Sequence, residues 1–385
     1  MIDFNRLRTG AGIFEILDKA TALEREGKDV LHFEIGQPDF STPDHIKNAA
    51  KDALDENFTS YVATTGIQEL KVAIQDEIEK TRGFRPTLNQ ILVLPGANSG
   101  IYFMMRAAVR DPHHSEIIYP DPSFPSFAAV ISYMNAKGVP IPLKEENEFR
   151  IDPDDIEAKI TPQTRAIIVN SPMNPTGSMM TKEELARVAE LAEEHNVYVL
   201  GDEIYSKMTY DREFFSVSMR DQAKNHSVII DGFSKAYSMT GWRLGYMIGP
   251  EDLIDRSGLL LALTVSCVSS FSQKAGVAAL KGPQDELNHM MAIFRKRRDR
   301  IVSGLNEIPG FTCKTPEGAF YAFPNIQQTG MTSRDLANHL LRKIAIACIP
   351  GTLFGSNGEG YLRFSYATSI KVIDKAMERM KTVFS

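Results

Sequence analysis

Short apolar segments alternate with longer segments of helical periodicity across the central part of the chain. QILVLP (90–95), RAIIVN (165–170) and SVIIDGF (227–233) are almost continuously apolar and rich in β-branched residues. Strands of this kind are typical of a parallel sheet that is covered on both faces. KEELARVAELAEEH (182–195) has instead the spacing of a surface helix. The alternation predicts an α/β fold, with a mostly parallel sheet sandwiched by helices.

The pattern changes after about residue 282. A long helical segment at 284–307 precedes short strand-like segments, which are GFTCK (310–314), GAFYAFP (318–324), IACIP (346–350) and YLRFSYA (361–367). This order predicts a smaller α+β domain. The segment before residue 48 has no strand pattern like that of the central block, so we expect it to pack on the smaller domain. The predicted division is a large domain at 48–282 and a small domain formed by 1–47 and 283–385.

The charge of the chain argues against a nucleic-acid partner. Its 385 residues carry a formal net charge of −6, whereas nucleic-acid binding leaves a basic footprint. One dense basic run, RKRRDR (295–300), is flanked by Phe294 and Ile301 at helical spacing. We interpret it as the solvent-exposed face of a helix. No apolar run has the length of a membrane-spanning helix, so no membrane partner is expected.

The three cysteines, Cys267, Cys313 and Cys348, form no C-x-x-C pair. Their spacing indicates neither a disulfide framework nor a zinc site, so no metal ligands are expected. The start of the sequence lacks the apolar core and the cleavage site of a signal peptide. We therefore predict a cytoplasmic protein.

Polar and aromatic residues follow the carboxyl ends of five predicted strands, which is where open α/β sheets bind ligands. They are Asn98 after QILVL, Phe124 after EIIYP, Asn174 after RAIIVN, Asp202 and Tyr205 after VYVLG, and Lys235 after SVIID. Each one alone has an ordinary explanation, such as a helix cap, a turn or a surface lysine. Together they predict one site that holds an amine, an acid, a phenol, amides and an aromatic ring.

This combination suits pyridoxal 5′-phosphate. The aldehyde of that cofactor needs an amine to form a Schiff base, and lysine supplies one. A carboxylate stabilises the protonated pyridine nitrogen, and an aromatic side chain can stack on the ring. The phosphate suits a helix N-terminus together with an arginine.

Longer motifs make the chain similar to the pyridoxal-phosphate-dependent aminotransferases of fold type I, class I/II, the relatives of aspartate aminotransferase. The motifs are GQPDF (36–40), YVATTGIQELKVAI (61–74), NSPMNPTG (170–177), GDEIY (201–205), SKAYSMTGWRLGY (234–246) and YLRFSYA (361–367). The resemblance covers nearly the whole chain. It implies the fold of that family, a pyridoxal 5′-phosphate cofactor, and transfer of an amino group from an L-amino acid to a 2-oxo acid.

The resemblance implies roles around the cofactor ring. Lys235 resembles the Schiff-base lysine, and Asp202 resembles the partner of the pyridine nitrogen. Tyr205 and Asn174 resemble the ligands of the ring oxygen, and Phe124 resembles the aromatic residue that stacks on the ring.

The resemblance also implies how the phosphate is held. Ser234, Arg243 and the backbone of Ala97 and Asn98 resemble its ligands. Tyr61 resembles a tyrosine that reaches the phosphate of the neighbouring subunit, which implies a homodimer with shared active sites.

For the substrate, Arg363 resembles the arginine that binds the α-carboxylate, with Gly36 and Asn174 beside it. Two positions depart from the family. Gly232 stands where some members have a hydroxyl residue near the phosphate. Asn98 stands where aspartate-specific relatives often have a lysine, which weakens an aspartate assignment.

Two alternatives to transamination remain open from the sequence. The same scaffold supports other pyridoxal phosphate reactions, such as a carbon–sulfur β-lyase or a decarboxylase. A non-enzymatic regulator that binds the cofactor is less expected, because such regulators carry an added DNA-binding domain.

Overall fold

The computed structural model describes residues 12–109 and 111–384, so the part of the predicted small domain at 1–11 lies outside the described residues. The strands are β1 (Leu31–His32), β2 (Ile91–Leu94), β3 (Glu116–Asp121), β4 (Lys137–Pro142), β5 (Thr164–Asn170), β6 (Tyr198–Asp202), β7 (Ser227–Gly232), β8 (Gly245–Ile248), β9 (Tyr321–Ala322), β10 (Ile346–Ala347), β11 (Ile349–Pro350) and β12 (Leu362–Ser365).

The helices flank these strands along the chain. They are α1 (Gly12–Arg25), α2 (Asp44–Asp55), α3 (Gln68–Arg82), α4 (Ala97–Ala108), α5 (Ser126–Tyr133), α6 (Pro153–Glu157), α7 (Lys182–Glu194), α8 (Glu251–Val265), α9 (Ser270–Lys281), α10 (Asp285–Asn306), α11 (Ser333–Ile344) and α12 (Ile370–Phe384). None of the helices in the described ranges is long and apolar enough to cross a membrane.

A seven-stranded sheet of order β2–β8–β7–β6–β5–β3–β4 forms the centre of the molecule. The pairs from β7 through β4 are parallel, whereas β8 runs antiparallel to both β2 and β7. All residues of β2 and β7 are buried, as the apolar segments predicted. Strand β4 was not predicted, because its sequence KGVPIP mixes prolines and a glycine into the segment.

Local sequence signals set the ends of the helices beside this sheet. At the start of α7, Thr181 Oγ1 accepts the backbone N–H of Glu184, and the Glu184 carboxylate accepts the N–H of Thr181. This reciprocal pair is a capping box, which satisfies two otherwise unpaired donors. Helix α3 ends at Arg82, and Gly83 caps it with a φ of 76°, in the left-handed region that favours glycine.

Two smaller sheets follow the central one. Strands β11, β12 and β9 form an antiparallel sheet, and β1 pairs in parallel with β10. The β1–β10 pair joins the N-terminal segment to the C-terminal part of the chain. The strand predicted at 310–314 is wrong, since only Thr312 there makes an isolated bridge, to Asn325.

The basic run at 295–300 lies on α10, but it is not a solvated face throughout. Arg297 is buried and pairs with Asp39 at 2.6 Å, and Arg298 is buried and pairs with Asp211 at 2.5 Å. Arginine can be buried in this way when a carboxylate neutralises it and its stem packs on aromatic rings. The prediction of a solvent-exposed basic face therefore holds for Lys296, holds in part for the half-buried Arg295 and Arg300, and is wrong for Arg297 and Arg298.

Candidate active site

The carboxyl ends of β5, β6 and β7 open into a cavity of about 460 Å³. Its lining includes every site residue that the sequence predicted except Tyr61; these are Gly36, Ala97, Asn98, Phe124, Asn174, Asp202, Tyr205, Ser234, Lys235, Arg243 and Arg363. The parallel strands place their ends at one edge, as expected for an α/β sheet. Residues far apart in the sequence therefore face one space.

Lys235 is the only lysine among the described residues that line the cavity. Its Nζ donates a hydrogen bond to the backbone oxygen of Gly36 at 2.5 Å. Burial lowers the pKa of Lys235 to about 8, and Arg363 and Arg243 act in the same direction, while Asp202 opposes them. Near neutral pH, a useful fraction of this amine is therefore uncharged and nucleophilic.

Asp202 ends β6 beside β7, the strand that leads to Lys235. It is buried and pairs with no cation among the described residues; its one side-chain hydrogen bond comes from the N–H of Ile204 at 3.3 Å. Burial and the charges of Asp231 and Glu203 together raise the pKa of Asp202 to about 7, although the hydrogen bond from Ile204 and the charge of Lys235 oppose them. A cation beside this carboxylate would favour its ionised form.

A buried arginine that the sequence did not reveal links the ends of two strands next to Asp202. Arg82, the last residue of α3, contacts Glu203 Oε2 at 3.1 Å and Asp231 Oδ2 at 2.6 Å. Burial alone would lower the pKa of Arg82, but the two carboxylates raise it above its ordinary value. Glu203 follows Asp202 directly and Asp231 lies on β7, so one guanidinium fixes both strand ends. Breaking such a buried pair typically costs about 3–5 kcal/mol.

An amide pair fixes the turn that carries Asn174. The side chain of Asn170 accepts the backbone N–H of Asn174 at 3.0 Å and donates to the backbone oxygen of Asp202 at 2.9 Å. Both asparagines are buried. The NSPMNPTG turn is thereby held against the end of the neighbouring strand.

The start of helix α4 and Arg243 line the same cavity and suit an anion. Ala97 begins helix α4, whose first N–H groups have no partner within the helix. The Arg243 side chain lies over Gly96, where a Cβ would be 2.3 Å from Nη2. Ser234 also lines this cavity. Arg243 pairs with no carboxylate in the described part of the chain, so its charge is available to a ligand.

Arg363 lies on β12, with its guanidinium carbon 4.6 Å from the ring centroid of Tyr321 and 4.8 Å from that of Phe354. It donates to Asn174 Oδ1 at 3.2 Å and to the backbone oxygen of Glu34 at 2.5 Å. Its Nε has no hydrogen-bond partner within the described residues. Burial lowers the pKa of Arg363. No carboxylate among the described residues pairs directly with this buried cation, although the charge of Glu34 acts on it. A buried guanidinium of this kind suits a carboxylate ligand.

Tyr321 is a cavity residue that sequence reasoning missed. The sequence marked GAFYAFP only as a strand, and nothing local in it signals a ligand. In the structure, the Tyr321 hydroxyl lies 2.6 Å from that of Tyr205. A Cβ on Gly36 would be 2.3 Å from this hydroxyl, so the GQPDF loop requires glycine at that position.

Tyr61 lies apart from the cavity lining, and 86% of its surface is exposed. Its predicted contact involves a second subunit, so a position outside the cavity of its own chain agrees with that role without testing it.

Comparison with known proteins identifies the family. The family model described as aminotransferase class I and II matches residues 28–380. The aspartate aminotransferase of Pyrococcus horikoshii is 39% identical over 96% of this chain and 93% of its own length. The aromatic-amino-acid aminotransferase 2 of Thermococcus litoralis is 36% identical over 96% and 95%.

The chain belongs to the class I and II aminotransferase family. A solved alanine aminotransferase from Pyrococcus furiosus superposes with a TM-score of 0.92, with 32% identity over 97% of this chain and 96% of that one. The fold type I architecture, the aminotransferase activity and the dependence on pyridoxal 5′-phosphate predicted from the sequence are thereby confirmed. Transamination is thus favoured over the lyase, decarboxylase and regulator alternatives.

The charges of the cavity fit this cofactor. In the described residues, the buried carboxylate of Asp202 and the guanidinium groups of Arg243 and Arg363 all lack a partner of opposite charge. A protonated pyridine nitrogen, a phosphate and a substrate carboxylate would supply the three missing charges. Asp202 and Arg363 are buried, and buried charges are stable only when they are paired in this way.

Proposed function

We propose that Lys235 of this aminotransferase carries the cofactor and moves the substrate proton. The observation that carries the proposal is one half-buried lysine amine among the described cavity residues, with a pKa of about 8, which shares the cavity with the buried carboxylate that ends the adjacent strand. When bound, pyridoxal phosphate draws electrons from the bonds of the substrate Cα. Lys235 Nζ then takes the Cα proton as a general base and returns a proton as a general acid.

The other cavity residues position the cofactor in this proposal. Asp202 stabilises the protonated ring nitrogen, and Tyr205 and Asn174 hold the ring oxygen. Phe124 covers the ring face.

The phosphate lies at the start of α4 in this proposal. Its ligands are the backbone of Ala97 and Asn98 together with Ser234 and Arg243. Support comes from the first N–H groups of the helix, which have no acceptor in a preceding helical turn, and from the Arg243 guanidinium, which pairs with no carboxylate among the described residues.

Arg363 binds the α-carboxylate of the amino acid in this proposal, with Asn174 and Gly36 beside it. Replacing Arg363 by lysine should raise KM for every amino donor by about 30- to 150-fold. A charge-assisted bidentate contact contributes about 2–3 kcal/mol, and lysine cannot reproduce its fork. The measurement is steady-state kinetics on wild type and variant with aspartate, alanine, phenylalanine and kynurenine. A loss confined to one donor would contradict the assignment.

The same panel tests the donor class. Apart from Lys235, Arg243 and Arg363, the described residues of the cavity lining carry no cation that could meet a second carboxylate. Relatives bear names for aspartate, aromatic amino acids and alanine, so the family leaves the donor open. We therefore expect a neutral or aromatic amino acid to exceed aspartate in kcat/KM, with the 2-oxo product identified by mass spectrometry. Aspartate as the best donor would contradict this.

We also propose a cytoplasmic homodimer with shared active sites. The support is a set of exposed large apolar side chains, among which Tyr61, Leu259 and Leu263 are 86%, 60% and 84% exposed. A partner subunit would cover apolar side chains of this kind. Sedimentation equilibrium should give twice the chain mass of 42.9 kDa, and Tyr61→Phe should weaken retention of the cofactor. An active monomer would rule the shared site out.

A further inference from the structure

Two buried phenols share a single hydrogen bond in the cavity wall. The hydroxyl oxygens of Tyr205 and Tyr321 are 2.6 Å apart, and both side chains are buried. Neither hydroxyl has another hydrogen-bond partner in the described parts of the chain. Each hydroxyl has one proton to donate. One of the two protons forms the hydrogen bond between the tyrosines, and the other remains available for a different acceptor.

The neighbouring charges decide which phenol donates. The Arg363 guanidinium lies over the Tyr321 ring and opposes the effect of burial, which raises the pKa of Tyr321. Burial raises the pKa of Tyr205 well above its ordinary value, and Tyr321 and Asp202 contribute in the same direction, while Arg363 opposes them. The cation makes Tyr321 the better donor, and the carboxylate makes Tyr205 the better acceptor.

We infer that Tyr321 is a positioning residue of the transamination site: it donates its proton to Tyr205 and so leaves the Tyr205 proton directed into the cavity. The inference rests on the proposed role of Tyr205 as a donor to the cofactor ring oxygen. Without Tyr321, the Tyr205 hydroxyl would be free to rotate, and its donation to that oxygen would weaken.

The ring of Tyr321 has a second function that can be separated from its hydroxyl. It packs against the guanidinium of Arg363, the proposed carboxylate ligand. Phenylalanine at this position keeps the ring and removes only the hydroxyl, whereas leucine removes both. Phenylalanine therefore tests the effect of the hydroxyl on Tyr205 alone, and the further change with leucine measures the effect of the ring on Arg363.

The test is a pH titration of the visible absorption of the purified holoenzyme. A hydrogen-bond donor withdraws electron density from the ring oxygen. When the donor is lost, the ring oxygen binds the proton beside it more strongly, and the apparent pKa of the chromophore rises. Tyr205→Phe should raise the apparent pKa of the chromophore by about one unit, and Tyr321→Phe by roughly half of that. The double variant should shift no further than Tyr205→Phe alone, because Tyr321 acts through Tyr205.

A second tyrosine pair supplies a matched control. Tyr366 donates to the Tyr210 hydroxyl at 3.1 Å, and both side chains are buried outside the cavity lining. Tyr366→Phe makes the same chemical change and should leave the titration unmoved.

The outcomes separate this inference from the proposed function. A shift in Tyr205→Phe with none in Tyr321→Phe would overturn the inference and leave the role of Tyr205 intact. No shift in Tyr205→Phe would overturn both. Tyr321→Phe should keep KM for amino donors within about twofold, while Tyr321→Leu should raise it. A raised KM in Tyr321→Phe without a spectral shift would show that the hydroxyl serves the substrate instead, contrary to the inference.

Discussion

Replacing Lys235 by alanine should lower kcat by at least about 10⁴-fold, which is the upper range for loss of a positioned acid–base group. In the described part of the chain, the cavity holds no other lysine that could take over the covalent attachment or the proton transfer. The variant should also lose the visible absorption band of the bound cofactor. The measurements are steady-state kinetics and an absorption spectrum of the purified protein.

Lys235→Arg serves as the control, because it keeps a positive charge but has no amine that can deprotonate near neutral pH. It should be as inactive as the alanine variant. The wild-type apoenzyme adds a pH test. Only the uncharged amine reacts with an aldehyde, and the pKa of Lys235 is about 8. The rate of cofactor attachment should therefore rise with pH and level off above about 8; a rate that falls over this range would contradict the assignment.

Replacing Asp202 by alanine should lower kcat much more than it weakens cofactor binding. A carboxylate at the ring nitrogen stabilises charge that develops in the transition state, so its loss appears mainly in the chemical step. Removing one such electrostatic partner typically costs about 3 kcal/mol or more, which corresponds to roughly 100-fold or more in kcat. Kinetics together with a cofactor titration would measure the two effects separately.

Asp202→Asn is the matched variant, because it keeps the size of the side chain and removes its charge. If Asp202 acts through its charge, the kcat of Asp202→Asn should be as low as that of the alanine variant. Asp202→Glu keeps the charge and should have a higher kcat. Near-normal kcat in Asp202→Ala would exclude the proposed role.

The position of the site could be predicted because it depends on strand ends. Asn174, Asp202 and Lys235 each follow an apolar strand, and a parallel sheet brings such ends to one edge. A coarse assignment of strands was therefore enough to place these residues together. The order of the strands in the sheet was not needed.

Tyr321 and Arg82 could not be predicted, because tertiary packing alone gives them their partners. Tyr321 lies on β9, in a different sheet from β6, the strand that Tyr205 follows, and it reaches Tyr205 only when the two parts of the chain have packed. Arg82 ends an ordinary helix and meets Glu203 and Asp231 from a distant part of the sequence. A sequence pattern shows how apolar and polar residues alternate, but it does not show which buried charges pair in the folded protein.

The orientation of β8 and the burial of Arg297 have the same cause. The segment LGYMIGP (244–250), which contains β8, has the apolar pattern of any buried strand. This pattern does not distinguish parallel from antiparallel pairing. Arg297 sits in a basic run that resembles a solvated face, yet Asp39 of the GQPDF loop neutralises it. In both cases a distant partner determines the outcome.

The most direct test of the central claim is chemical trapping of the cofactor on the enzyme. Wild-type holoenzyme is reduced with borohydride, digested and mapped by mass spectrometry. Our account predicts one modified peptide, with the cofactor joined to Lys235 between Ser234 and Ala236. A stable adduct on any other lysine, with Lys235 unmodified, would contradict it.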